Sequence, residues 1–188
     1  RNSSGSIYVA HAQNDATYGA SSIKGNKITD TIANSGISTF FTQGITVSGN
    51  ELRRIKSVPA SAVDGIGINS DVCDYDGDFY SNYIDTTPGL SGILNSGQGI
   101  GPFFNQGNRY YGNIIVNAKH GIAPSDSGQP RTVANTYANN TIINPTDSGF
   151  LFFSFHRSKD VIYNNVISGG VYGFRCLNAT APAQTADY

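Results

Sequence analysis

The chain repeats itself, and the period limits the folds open to it. One phrase occurs six times: an apolar residue, two spacers ending in Gly, Ser or Asn, then Asn, one spacer and an aliphatic residue. Its copies are built on Ile23, Asn26 and Ile28; Val47, Asn50 and Leu52; Phe79, Asn82 and Ile84; Tyr110, Asn113 and Ile115; Tyr137, Asn140 and Ile142; and Ile162, Asn165 and Ile167. A second phrase follows each copy: Gly36-Ile37, Gly65-Ile66, Gly92-Ile93, Gly121-Ile122, Gly149-Phe150 and Gly173-Phe174. These glycines are spaced 29, 27, 29, 28 and 24 residues apart. Two phrases keeping step at such a period predict a solenoid, in which each repeat is one coil of short strands and the coils stack about 4.8 Å apart. Stacking places Ile23, Val47, Phe79, Tyr110, Tyr137 and Ile162 in one inward column. Asn tolerates the left-handed conformation and its amide can bond along the stack, so the six Asn are expected at a corner between two strands. The glycines are expected at tight bends.

Composition agrees with strands. Of 188 residues, 22 are Gly, none is Met and Glu51 is the sole glutamate, so the chain is poor in helix formers and a helical bundle is excluded. Twelve Lys and Arg against thirteen Asp and Glu give no basic field for gripping phosphates, which argues against nucleic acid as a partner. No apolar run approaches the roughly 20 residues of a membrane span. Residues 1–178 are expected to form the solenoid, as part of a longer one, and 179–188, small and Pro-containing, a tail or linker. An early strand over residues 4–9 adds a seventh Gly-Ile phrase. Strand edges at two uncapped ends invite end-to-end or trimeric self-association.

The Gly-Asn-x-Ile and Gly-Ile phrases at 24 to 32 residues resemble the right-handed parallel β-helix of the pectate-lyase-like superfamily, over roughly residues 5 to 178. That superfamily includes polysaccharide lyases, glycoside hydrolases, viral tailspikes and adhesins. The resemblance implies an all-β fold of about six to seven coils, with the strand before the Asn corner in the second sheet, the strand after it in the third and the Gly-Ile strand in the first. It also implies a secreted, extracellular or surface location, virions included, and a polysaccharide lying along the outside of the first sheet.

The outward positions two past the glycines hold Ser38, Gly67, Leu94, Ala123, Leu151 and Arg175, none a carboxylate. Inverting hydrolysis needs two carboxyls roughly 6.5 to 9.5 Å apart, so a hydrolase site would depend on Asp71 and Asp126 converging from neighbouring loops. A lyase needs a base for the proton α to a uronate carboxyl and a cation for the carboxylate. The column before the glycines, Ser35, Asp64, Ser91, His120, Ser148 and Tyr172, offers that set: Lys119 and His120 beside Asp147, with Tyr172 two coils from His120. These four are the candidate catalytic residues. A second cluster, His156 and Arg157 facing Asp126 and Arg131 of the coil below, is the candidate substrate-binding set. Asp74, Asp76 and Asp78 are candidate ligands for Ca2+, although the segment lacks the EF-hand pattern.

Cys73 and Cys176 are four coils apart, about 19 Å, too far for a disulfide, and alternation from Phe174 points Cys176 into the core. The functional expectation is a carbohydrate-active protein that binds and cleaves an acidic polysaccharide, lyase-like rather than hydrolase-like. The alternative is a non-catalytic structural or adhesive solenoid, such as a fibre subunit, adhesin segment or tailspike shaft.

Overall fold

The computed structural model describes residues 6–10, 21–30, 35–55, 65–71, 75–86, 91–97, 105–126, 133–152 and 160–177. Their strands run in threes. The first coil is β1 (Ile7–Ala10), β2 (Ser22–Lys24) and β3 (Lys27–Thr29); the second is β4 (Ser35–Phe40), β5 (Thr46–Ser48) and β6 (Glu51–Arg53). The third is β7 (Ile66–Asp71), β8 (Asp78–Tyr80) and β9 (Tyr83–Asp85), and the fourth β10 (Ser91–Gly97), β11 (Arg109–Tyr111) and β12 (Ile114–Val116). Next come β13 (His120–Asp126), β14 (Thr136–Ala138) and β15 (Thr141–Ile143), then β16 (Ser148–Phe152), β17 (Val161–Tyr163) and β18 (Val166–Ser168), and last β19 (Tyr172–Cys176). Every third strand pairs in parallel, giving one sheet of seven strands and two of six, an all-β parallel solenoid. Among the described residues no helix is long and apolar enough to cross a membrane.

The core follows the inward columns. Ile23, Val47, Phe79, Tyr110, Tyr137 and Ile162 are in register through the second sheet, and all are buried. The rings of Phe79 and Tyr110 stack at 4.8 Å and those of Tyr110 and Tyr137 at 5.1 Å, the spacing that the sheet imposes. Ile28, Leu52, Ile84, Ile115, Ile142 and Ile167 form the matching column of the third sheet.

The corner between second and third sheets is an Asn ladder. Asn113, fully buried, donates through Nδ2 to Phe79 O at 2.9 Å and to Asn140 Oδ1 at 3.0 Å, and its own Oδ1 accepts from the backbone N and Nδ2 of Asn82. Asn50, Asn82 and Asn140 repeat the pattern. The left-handed residue at this bend is the one before each Asn: Gly25, Gly49, Ser81, Gly112, Asn139 and Asn164, with φ between 52° and 64°. That corrects the expectation that the ladder Asn itself adopts it.

Two further corrections concern the first sheet. Ile37 pairs with Ile68, and Ser35 with Ile66, so the third copy of the second phrase is Gly67-Ile68 rather than Gly65-Ile66. The column before the glycines therefore holds Ile66 in place of Asp64, and the outward column holds Asn69 in place of Gly67. The repeated glycines also serve a different purpose from bends. A β-carbon on Gly36, Gly67, Gly92, Gly121 or Gly149 would fall 2.4–2.6 Å from a Leu or Ile side chain of the third sheet and 2.7–3.0 Å from the next glycine's carbonyl oxygen. Only glycine lets the first and third sheets approach this closely.

Cys176 lies opposite the buried Phe152, as expected for an inward position, yet it is exposed and free, on the strand that ends its sheet among the described residues. Cys73 and the tail 179–188 lie outside the described residues.

Candidate active site at the end of the first sheet

Three strands of the first sheet bring the lyase candidates together. His120 opens β13, Ser148 opens β16 and Tyr172 opens β19, and the three are in register. Asp147 precedes Ser148 and is clamped on both sides: its N–H donates to Lys119 O at 3.0 Å, and its carbonyl accepts from the N–H groups of Val171 and Tyr172 at 2.8 and 2.9 Å. Its side chain is thereby fixed between coils.

His120 is buried, with 3% of its surface accessible. Its Nδ1 lies 2.8 Å from Ser148 Oγ and 3.5 Å from Asp147 Oδ2. The nearby carboxylate favours the tautomer with the proton on Nδ1. A Ser-His-Asp triad requires hydroxyl and carboxylate on opposite ring nitrogens, so this is not a nucleophilic triad. Burial pushes the imidazole down to about 4, with Asp147 opposing the shift and Lys119 and Arg175 adding to it. At neutral pH His120 is uncharged.

Asp147 Oδ2 also accepts from Arg175 Nη1, and the Arg175 guanidinium lies 5.4 Å from the centre of the Tyr172 ring. The chain of contacts thus runs from buried His120 and Ser148, through Asp147, to the partly exposed Arg175 and Tyr172. Lys119 is exposed beside it. Ser148 and Arg175 were not among the candidate catalytic residues. The signal for Arg175 was its outward position after Gly173, one coil from Asp147.

In the rest of the outward column Ser38, Ala123 and Leu151 are buried, the last two in a small cluster with Ile66, whereas Asn69 is half-buried and Tyr8 exposed. Around the cluster Arg175 is the outward side chain, half-buried, and Tyr172, in the column of His120 and Ser148, stands exposed on the terminal strand.

The other candidates are distributed differently. Asp126 ends β13 opposite Gly97, whereas Arg131, His156 and Arg157 lie outside the described residues. Of the Ca2+ candidates, Asp74 is outside them as well, Asp76 is exposed with φ 51°, and Asp78 is engaged by Arg109, whose Nε and Nη2 reach its two oxygens at 2.6 Å each. Among the described residues no three His, Cys, Asp or Glu are grouped to hold a metal ion. Compared with family profiles, curated proteins and solved structures, the chain matches none.

The His120 environment makes stability depend on pH. The unfolded imidazole titrates near 6.5 and the folded one near 4, so between these values the unfolded chain holds a proton that the folded chain lacks. The contribution is complete above pH 6.5 and is lost as pH falls towards 4, by up to about 3 kcal/mol. His120→Gln removes the titration while keeping a polar group against Ser148. Urea unfolding across this range should show the wild type losing more stability on acidification than the variant; parallel curves would contradict the assignment.

Proposed function

We propose that the chain is a secreted or surface-displayed carbohydrate-active β-solenoid that binds an acidic polysaccharide and cleaves it by elimination at the β19 end of the first sheet. The observation that supports this reading is the Arg175–Tyr172 pair: a half-open cation beside an exposed phenol, anchored by a half-buried carboxylate. Arg175 and Lys119 would hold the uronate carboxylate and stabilise the charge that develops on it as the neighbouring proton leaves. Tyr172, acting as the phenolate, would take the proton from the carbon α to the carboxyl and so become the phenol, which can return a proton to the departing oxygen. The electron pair then forms the carbon–carbon double bond and the β carbon–oxygen bond breaks, the departing oxygen gaining a proton, so that one product carries an unsaturated uronate and the other a new chain end. His120 and Ser148, being buried, and Asp147, half-buried between them and the guanidinium, would position Arg175 rather than touch the polymer.

Tyr172→Phe should lower kcat for unsaturated-product formation by about 10²–10⁴-fold with little change in KM. Arg175→Ala should raise KM as well. An unchanged kcat in Tyr172→Phe would overturn the role given to the phenol.

The alternative, a non-catalytic structural solenoid, draws on the third sheet's outer face. In its last three coils that face carries Ile114, Val116, Thr141, Ile143, Val166 and Ser168, with no charge, a surface suited to assembly. A wild type inert towards all uronate polymers would favour it.

A further inference from the structure

The two ends of the solenoid differ in chemistry and in topology. Among the described residues β17, β18 and β19 each have a hydrogen-bonded neighbour on one side only, as do β1, β2 and β3 at the other end. The last coil is apolar on its outside. Of the nine large apolar side chains exposed among the described residues, only Tyr8, Ile114 and Val133 lie elsewhere than residues 161–177. Among the described residues of this coil Asp160 accepts from the Asn135 backbone and Arg175 is paired with Asp147; His156, Arg157 and Lys159 lie outside them. The first coil, by contrast, presents exposed Lys24 and Lys27. The Asn ladder stops at the apolar end, where the Asn165 N–H meets no acceptor of the kind that Asn165 Oδ1 offers to Asn140.

Head-to-tail stacking of copies is blocked by the strand count. The first sheet has seven strands and the others six, so a second copy placing its β2 and β3 on β17 and β18 would bring its β1 into the position already held by β19. A two-fold contact avoids this conflict. It sets like ends together, lets free strand edges pair antiparallel and buries the apolar rim.

We infer that the chain forms a tail-to-tail dimer through the coil of β17, β18 and β19, with a second copy of this chain as the occupant of that end. The inference does not rest on the lyase reading: the seam would cover Tyr172 and Arg175, so elimination would be an activity of the monomer.

Sedimentation equilibrium of the full chain over a range of concentrations tests it. The wild type should show a monomer–dimer equilibrium that stops at the dimer. Val166→Lys and Val171→Lys, which place a charge on exposed positions of the terminal coil, should each weaken dimerisation by about tenfold or more. Ile114→Lys, on the side of the solenoid, and Lys27→Glu, at the other end, should leave it unchanged. Circular dichroism checks that each variant keeps its strands. A wild type monomeric at every concentration would overturn the inference. Loss of the dimer in Ile114→Lys would replace it with a lateral contact, and growth beyond the dimer, sensitive to Lys27→Glu, with a filament.

Discussion

A chain carrying Gly121→Val is expected to lose more than about 3 kcal/mol of stability, enough to leave much of it unfolded at ambient temperature. A β-carbon at this position would lie 2.6 Å from Ile142 Cγ2 and 2.7 Å from the carbonyl oxygen of Gly149. The first neighbour is a packed core side chain and the second is backbone in the adjoining strand, so neither can yield without disturbing a sheet. Two methyl groups enlarge the conflict. Gly173 supplies the control, because a β-carbon there meets nothing within 4 Å. Gly173→Ala should unfold at nearly the wild-type urea concentration, within about 0.5 kcal/mol. Similar midpoints for Gly121→Val and the wild type would contradict the close approach of the two sheets.

Asn113→Leu is the second large effect. The substitution keeps approximate size but removes two donated and two accepted hydrogen bonds in a fully buried corner, orphaning the Phe79 carbonyl and the Asn82 N–H. Each orphaned group costs about 1–3 kcal/mol, so a loss of about 3–5 kcal/mol is expected. Asn26→Ala, at the first rung and half-buried, should cost about 1 kcal/mol. Equal losses at the two positions would show that the ladder does not act through buried hydrogen bonds.

The repeat made the coils legible because an inward side chain must recur once per coil, and the second-sheet column emerged residue for residue. The register slip at Gly65 has a physical origin. Gly65-Ile66-Gly67-Ile68 contains the phrase twice, two residues apart, and a shift of two leaves every side chain on the same face. Contact with Ile84 selects Gly67, and that contact belongs to the third dimension. A second corner ladder, in which the Gly77, Asn108 and Asn135 N–H groups donate to Asn108, Asn135 and Asp160, was hidden because its members change from Gly to Asn to Asp. In the candidate site, the meeting of His120 with Asp147 followed from the period. The reach of Arg175 back to Asp147 did not, since it depends on a long side chain leaning across a coil.

The central claim is that the β19 end acts on an acidic polysaccharide by elimination. The most direct measurement is the absorbance of unsaturated uronate when the wild-type chain is mixed with a panel of uronate polymers at neutral pH, where His120 is neutral. A steady rise is expected with at least one polymer, reduced by Tyr172→Phe and Arg175→Ala. No rise with any polymer, from a chain whose circular dichroism shows intact strands, would contradict it.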